Sequence, residues 1–206
     1  STGKYVVSVD TINIAEKVVN ELKTNPNTAE IVNRRTGGDW EVLHQFPIEF
    51  SYLGTDCKIL LDKLDIDHNN KIIYPYDLKS TFDVENFDYN YIKYKYYIQQ
   101  ALYTKGVMIW SQTNGLKEYT VYPMQFIVCD TSLFNQPLIY ACSEYDFTYG
   151  IEGFTINNKL YKGINTLIKE INWHNETGVW NISTNDFAYK GKKSLNLPYY
   201  QEQIKL

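Results

Sequence analysis

Two β-rich runs place the strongest constraint on the fold: "DCKILLDKLDID" at residues 56–67 and "KIIYPYDLKST" at residues 71–81. Between them, residues 68–70 read His-Asn-Asn, a composition that suits a tight hairpin turn. The sequence therefore predicts two antiparallel strands joined by that turn. Such a hairpin brings Asp62 and Asp77 side by side on neighbouring strands.

The alternation of side chains along these strands predicts which residues share a face. Successive side chains project to opposite faces, so Asp77 and Lys79 point to the same side. On the preceding strand, Asp62 shares its face with the apolar Leu64 and Ile66. Two neighbouring carboxylates on an apolar surface repel each other and lose their hydration. A divalent cation removes this cost, and carboxylates with backbone carbonyls are ligands that Mg²⁺ or Mn²⁺ prefers.

An Asp-x-Lys pattern has a second interpretation. It is common in strands, and most such pairs are surface ion pairs that contribute little to stability. The pattern alone therefore does not separate a metal site from an ordinary ion pair.

Composition limits the class of protein. The chain has 206 residues, 44% hydrophobic and 21% charged, so we expect one globular domain over residues 1–206. A net charge of −4 and a pI of about 5.4 argue against a general nucleic-acid coat protein, which would be basic. An enzyme that binds DNA through a local basic groove remains compatible with this charge.

The cysteines and methionines indicate the compartment and the extent of the chain. Cys57, Cys129 and Cys142 form no CxxC pair and are odd in number, so we interpret them as reduced thiols of a cytoplasmic protein. Three cysteines also argue against a four-cysteine iron–sulfur cluster. No apolar run reaches the roughly 20 residues that span a bilayer. Because the only methionines are Met108 and Met124, we expect an N-terminal segment of the full-length protein to be missing.

The hydrophobic spacing along the chain predicts a mixed α/β fold in which helices, three antiparallel strands, a helix, further strands and a last helix follow one another. The predicted helices comprise residues 10–23, a short segment capped by Asn27 or Thr28, residues 89–106 ended by Gly106, and residues 157–174. Extended chain is predicted from Trp40 onward, at residues 107–112 and at residues 118–130.

The hairpin motifs resemble the PD-(D/E)XK nuclease superfamily, in which an Asp on one strand precedes an (Asp/Glu)-x-Lys pattern on the next. "CKILLD" at residues 57–62 and "YPYDLKST" at residues 74–81 are similar to the RecE-type exonuclease branch and its phage relatives. In that branch the second motif reads Asp-Leu-Lys-Thr-Thr, so Ser80 replaces the first Thr. A third motif, Gln-x-x-x-Tyr, is matched by Gln99 and Tyr103, whose spacing of four places them on one helix face.

The resemblance implies a metal centre and the chemistry it serves. It assigns Asp62, Asp77 and the carbonyl oxygen of Leu78 as ligands of Mg²⁺ or Mn²⁺. One ion, or a pair about 3.5–4 Å apart, would assist hydrolysis of a phosphodiester bond.

The resemblance also implies roles for three further residues. Lys79 would orient or activate the attacking water and offset the charge that builds up on the phosphate. Gln99 would position Lys79, water or phosphate, and Tyr103 would line the pocket.

The same resemblance implies a restriction-endonuclease-like core, with a central mixed β-sheet flanked by helices. It makes DNA the substrate and suggests an exonuclease of phage-type recombination or replication, in the cytoplasm of a bacterial host if phage-encoded. A homo-oligomer or a single-strand annealing protein is the implied protein partner. Two alternatives stay open: a nuclease-fold DNA-binding or assembly protein with weak or lost activity, and an α/β interaction domain with a coincidental motif.

One element of the family pattern has no clear match. The RecE branch carries a His well before the strands, whereas here only His44 precedes Asp62. Glu16, Glu30 and Glu49 are the other candidates, and the sequence does not choose among them.

The tyrosine-rich run at residues 89–97 has two interpretations. Its rings could stack on bases, which is worth about 1–3 kcal/mol per base, or they could pack a helix against the sheet. Lys93 and Lys95 could likewise contact phosphates or simply keep an exposed face solvated.

Overall fold

The predicted hairpin forms the middle of a six-stranded mixed sheet. The computed structural model describes residues 7–193. The strands of the sheet are β1 (Trp40–Tyr52), β2 (Thr55–Asp67), β3 (Ile72–Thr81), β4 (Thr120–Val121), β5 (Gln125–Asp130) and β6 (Leu138–Ala141). Their order is β1-β2-β3-β5-β6, with β4 paired beside β3. Strands β1, β2 and β3 are antiparallel, β5 runs parallel to β3, and β6 returns antiparallel to β5.

Helices cover both faces of this sheet, and a two-stranded hairpin lies beside them. The helices are α1 (Val9–Thr24), α2 (Ala29–Asn33), α3 (Phe87–Lys93), α4 (Tyr96–Thr113), α5 (Glu144–Glu152), α6 (Ile164–Thr177) and α7 (Thr184–Ala188). The hairpin consists of β7 (Gly153–Ile156) and β8 (Lys159–Lys162). This arrangement confirms the predicted mixed α/β class with a central mixed sheet flanked by helices. None of the described helices is long and apolar enough to cross a membrane.

Each face of the sheet has its own hydrophobic core. On one face, α3 and α4 pack on residues such as Leu64, Ile73 and Phe126, all fully buried. On the other face, α1 and α2 pack on Tyr76 and Ile127. The side chains of β3 point alternately into the two cores. Its odd-numbered residues, which include Asp77 and Lys79, therefore face α4.

Strand β2 changes the side on which its apolar residues lie. Leu61 and Leu64 belong to the same core although strict alternation would place them on opposite faces. The change occurs at Asp62, whose expected partner Gln45 is absent from the β1–β2 ladder. Gln45 has a left-handed backbone, with φ 47°. The irregular pair turns both strands locally and lets apolar residues on either side face one core.

The prediction that Gly106 ends a helix is wrong, and so is the prediction of a strand at residues 107–112. Helix α4 continues to Thr113. A Cβ at Gly106 would lie 2.7 Å from side-chain atoms of Ile59 and Phe50. The glycine therefore lets the helix approach the sheet closely instead of terminating it.

Three other predicted segments are divided differently in the structure. Residues 89–106 form parts of two helices, because Lys95 takes a left-handed conformation with φ 59° between α3 and α4. Residues 118–130 give β4 and β5 on either side of Pro123. Asn157 and Asn158, both with positive φ, form the β7–β8 turn, so the last predicted helix begins only at Ile164. The sequence "NLPYY" at residues 196–200 predicts an irregular tail after the last helix, and it lies outside the described residues.

Candidate active site

The register of the hairpin places Asp62 and Asp77 opposite each other. The last pair of the β2–β3 ladder is Lys63 with Tyr76, and the next positions are the two aspartates. From there β3 continues against β5 alone. The carboxylates therefore lie where β2 separates from β3, at the edge of an opening in the sheet.

Asp62 is held by two hydrogen bonds. The backbone N–H of Leu78 donates to Oδ2 at 2.8 Å, and the Gln45 amide donates to Oδ1 at 2.9 Å. The sequence motifs do not mark Gln45. Its contribution depends on its left-handed backbone at the β1–β2 irregularity, a feature that no local pattern of residues reveals.

Asp77 is almost completely buried. Its Oδ1 accepts a hydrogen bond of 2.7 Å from Gln99 Nε2 on α4. Its Oδ2 forms an ion pair with Lys79 Nζ at 2.7 Å and accepts no hydrogen bond from any other group of residues 7–193. Burial raises the pKa of Asp77, and the nearby Asp62 adds to that rise, while Lys79 and Gln99 oppose it. A buried carboxylate oxygen with spare bonding capacity is thus present at the opening.

Lys79 is fixed by the acid and by two aromatic rings. Its side chain is 19% exposed, and its Nζ lies 4.6 Å from the ring centroid of Tyr96 and 5.9 Å from that of Phe126. Cation–π attraction and the Asp77 carboxylate both hold the Lys79 side chain at this position. The structure therefore places a positive charge beside the two carboxylates.

The backbone at Leu78 also faces this opening. A residue in a strand directs its N–H and C=O to the same side. Since the Leu78 N–H bonds Asp62, the Leu78 carbonyl points to the side where β2 has already separated. The Lys79 carbonyl points the other way, toward β5, where Cys129 Sγ lies 3.4 Å away. Leu78 can therefore present an oxygen next to Asp62.

The oxygen atoms at this opening are of the kind that Mg²⁺ or Mn²⁺ binds. The part of the chain that the structure describes has no group of three or more Asp, Glu, His or Cys residues placed to hold a metal ion. Asp62, Asp77 and the Leu78 carbonyl would supply two carboxylates and one carbonyl, all oxygen ligands. Mg²⁺ commonly takes one or two carboxylates and completes its coordination with water and substrate phosphates. Asp77 Oδ2, which pairs with Lys79 Nζ and accepts no other hydrogen bond from residues 7–193, keeps a lone pair available for such a cation.

The other predicted site residues occupy different positions. Gln99 reaches Asp77, whereas Tyr103, one turn further along α4, is half-buried against the main core. Of the upstream candidates, Glu30 bonds Arg34, and Glu49 bonds Lys58 on the exposed surface of β1 and β2.

The remaining upstream candidates are also accounted for. His44 lies on β1, within the predicted extended chain, and is exposed, and Glu16 is exposed on α1. The structure thus brings together Asp62, Asp77, Lys79 and Gln99.

A second acid–lysine cluster lies on the opposite face of the same hairpin. Asp65, fully buried, accepts from Arg34 Nη1 at 2.9 Å and forms an ion pair with Lys63. The Arg34 guanidinium lies 3.9 Å from the ring centroid of Trp40. Burial lowers the pKa of Lys63, which Asp65 partly offsets. This cluster is closed to solvent and fixes α2 to the sheet.

Comparison with known proteins supports the fold. The chain is similar to the crystal structure of a protein from Eubacterium rectale that is described as a candidate exonuclease, with a TM-score of 0.56 and 11% sequence identity. The similarity covers 96% of this chain and 67% of that one. No protein-family model matches the chain, and a search of curated proteins also finds no match. The two proteins therefore share a fold at low sequence identity.

Proposed function

We propose that this protein is a metal-dependent DNA nuclease of the PD-(D/E)XK type that hydrolyses phosphodiester bonds. The observation that carries the proposal is the position of Asp77, held by Gln99 and Lys79 and directly opposite Asp62. Asp62, the Asp77–Lys79 pair and Gln99, which come from three separate sequence motifs, thus lie at one opening in the sheet. The fold shared with the E. rectale candidate exonuclease is consistent with this activity.

In this proposal the metal is held by Asp62, Asp77 and the Leu78 carbonyl. When bound, Mg²⁺ would supply Lewis-acid polarisation of the phosphate and lower the pKa of water at the site. The protein supplies the fixed oxygens: hydrogen bonds from Leu78 N–H and Gln45 orient the Asp62 carboxylate. Such fixed donors do not need to reorganise when substrate arrives.

Lys79 supplies positive charge where the reaction develops negative charge. Its ammonium, confined by Asp77 and the Tyr96 ring, can contact a phosphate oxygen or the attacking water at the opening. Charge that appears mainly in the transition state is stabilised there more than in the bound substrate, which raises the rate of the chemical step. Gln99 acts through Asp77: by donating to Oδ1 it holds the carboxylate with Oδ2 toward the ammonium.

We further propose that the enzyme is an exonuclease of phage-type recombination or replication. The support is the resemblance of "CKILLD", "YPYDLKST" and the Gln99–Tyr103 spacing to the RecE branch. DNA would be the substrate, a homo-oligomer or a single-strand annealing protein the partner, and the bacterial cytoplasm the place of action.

A nuclease-fold DNA-binding or assembly protein with weak or lost activity is the second candidate. It is favoured by one observation, the lack of a third acidic or histidine ligand near Asp62 and Asp77 within residues 7–193. It is opposed by the complete set of Asp62, Asp77 and Lys79, because a site without activity would be expected to lose one of them.

The proposal is tested by incubating the full chain with end-labelled linear duplex DNA and with closed circular DNA, in Mg²⁺ or in EDTA. An exonuclease shortens the linear DNA only in Mg²⁺ and leaves the closed circle intact. Asp77→Asn should abolish this activity, whereas Asp56→Asn, an exposed aspartate on the same hairpin, should not. If the wild type cleaves neither DNA in Mg²⁺, the nuclease proposal fails and the DNA-binding alternative replaces it.

A further inference from the structure

A groove of about 770 Å³ lies between the α3–α4 junction and the β7–β8 hairpin. Its size is in the range of ligand-binding clefts. The lysines and tyrosines of its lining are Lys93, Lys95, Lys159, Lys162, Tyr89, Tyr97 and Tyr161. Positive charge and aromatic surface are thus concentrated in one concave region.

The charge of this groove contrasts with that of the whole protein. The chain carries a net charge of −4, yet no acidic side chain lines the groove. Lys162 is neutralised by Glu170, with Nζ–O distances of 2.6 and 2.8 Å. Among residues 7–193, Lys93, Lys95 and Lys159 take part in no ion pair. Three uncompensated cations therefore give the groove a local positive potential that attracts anions.

Exposed rings stand next to these cations. Tyr89 is 65% exposed and Tyr94 is 56% exposed. Lys93 Nζ lies 5.5 Å from the ring centroid of Tyr89 and 5.3 Å from that of Tyr94, and Lys159 Nζ lies 5.1 Å from that of Tyr161. The other tyrosines of the run at residues 89–97 pack inward, so only Tyr89 and Tyr94 of this run present an exposed ring to a ligand. Cations that track phosphates beside rings on which bases stack are the combination that binds single-stranded nucleic acid.

A continuous series of contacts connects the groove to the candidate active site. Lys79 Nζ lies 4.6 Å from the Tyr96 ring centroid, and the Tyr96 and Tyr94 centroids are 5.8 Å apart. Lys93, which lines the groove, contacts Tyr94 in turn. Two neighbouring rings, Tyr96 and Tyr94, therefore link the Lys79 ammonium to that of Lys93 at the edge of the groove.

We propose that this groove binds a single strand of nucleic acid that continues from the phosphodiester bond at Asp77 and Lys79. The continuation rests on the proposed nuclease function, but binding in the groove does not. A single strand is favoured over a duplex because its bases are free to stack on Tyr89 and Tyr94. It is favoured over an acidic protein segment because carboxylates would use the lysines and leave the ring faces unused.

The test is fluorescence anisotropy of a labelled oligothymidylate in EDTA over a series of salt concentrations. Lys93→Gln combined with Lys159→Gln should weaken binding by roughly tenfold or more at low salt. The slope of log affinity against log salt should also become shallower by about 1.4, because each of the two lost phosphate contacts on a single strand contributes about 0.7. The matched control combines Lys17→Gln with Lys117→Gln, two exposed lysines on α1 and in the α4–β4 loop. It should leave affinity and slope near the wild-type values.

The stacking contribution is tested separately. Tyr89→Ala should weaken oligothymidylate binding by roughly tenfold, on the scale of one lost base–ring contact. Tyr145→Ala, which removes a 77% exposed ring on α5, is the control and should have no effect. Equal melting temperatures of the variants exclude unfolding as the cause of any loss.

The outcomes separate this proposal from the nuclease proposal. Unchanged affinity and salt slope in the double lysine variant would overturn the groove proposal, even if the protein cleaves DNA. Lysine-dependent and Tyr89-dependent binding by a protein that never cleaves would support the groove and overturn the nuclease function. Polyglutamate that competes fully with the oligonucleotide, together with no effect of Tyr89→Ala, would identify an acidic protein segment as the occupant instead.

Discussion

The hairpin of β2 and β3 carries two acid–lysine clusters on opposite faces, and they differ in how completely the acid is satisfied. On the face toward α2, Asp65 is bonded by both Arg34 and Lys63 and has no exposed surface. On the face toward α4, Asp77 has one oxygen bonded by Gln99 and one that pairs with the Lys79 ammonium alone. The residue types are nearly the same in the two clusters. Only the second leaves bonding capacity for a ligand.

The two clusters also differ in net charge, and this difference again favours a metal ion only in the cluster that faces α4. Asp65 is a single carboxylate between two cations, so an added metal ion would be repelled. Asp62 and Asp77 are two carboxylates with one ammonium, Lys79, and this excess of negative charge favours a cation. The two acid–lysine pairs thus differ in spare bonding capacity and in local charge, and sequence spacing alone reveals neither difference.

The largest expected difference is in stability. Asp65→Asn leaves Arg34 and Lys63 buried without their carboxylate, which should reduce the free energy of unfolding by about 3–5 kcal/mol. Asp77→Asn removes a desolvated charge next to Asp62, so in EDTA it should leave the free energy of unfolding unchanged or increase it. Urea denaturation of both variants measures this. Equal losses in the two variants would show that the clusters do not differ as described.

The next effect is on catalysis. Lys79→Ala should reduce the single-turnover rate of DNA cleavage by roughly 10²-fold or more, about 2.7 kcal/mol of transition-state stabilisation. DNA affinity in Ca²⁺ should change little, because other groups contact the backbone. Lys117→Ala, at an exposed lysine, is the control, since replacing Lys63 would disturb the buried Asp65 pair. A Lys79→Ala protein that cleaves as fast as the wild type would rule out this role.

A smaller loss is expected at Gln99. Because Gln99 orients a proposed metal ligand, Gln99→Ala should lower turnover by about 10- to 100-fold, the usual range for such supporting residues. The neighbouring Gln100 is fully buried, and neither polar atom of its amide has a hydrogen-bond partner in residues 7–193. Gln100→Leu, similar in size, should leave turnover unchanged and stability unharmed. A greater loss of turnover at Gln100 than at Gln99 would mean that the helix face is assigned wrongly.

The smallest effect is the pH dependence of stability. Burial raises the pKa of Asp77, so the folded state binds the proton of this group more tightly than the unfolded state does. In EDTA, its contribution to stability should therefore fall as pH rises from the unfolded pKa through the folded one, and then level off. The difference in free energy of unfolding between Asp77→Asn and the wild type should grow over the same interval. A difference that is constant with pH, or that shrinks, would contradict the raised pKa.

Much of the site follows from local sequence because strand alternation and the hairpin turn act over a few residues. They suffice to put Asp77 and Lys79 on one face and Asp65 on the other, as the structure has them. The choice of Gln99 came from the resemblance to the Gln-x-x-x-Tyr motif, and the structure has its amide bonded to Asp77.

The features that sequence reasoning missed depend on contacts between distant segments. Gln45 reaches Asp62 only because its backbone is left-handed at an irregularity between two strands. Gly106 was predicted to end α4, but it is present to let the helix approach Ile59 and Phe50. Neither effect has a signature within a short window of sequence, because each requires the tertiary fold.

The most direct test of the proposed metal centre on the α4 face is calorimetric titration of the full chain with Mn²⁺. We expect saturable binding by the wild type, its loss in Asp77→Asn, and its retention in Asp56→Asn, which removes an exposed carboxylate from the same hairpin. Titrations of the wild type and Asp77→Asn that are indistinguishable would contradict the assignment of Asp62 and Asp77 as the metal site.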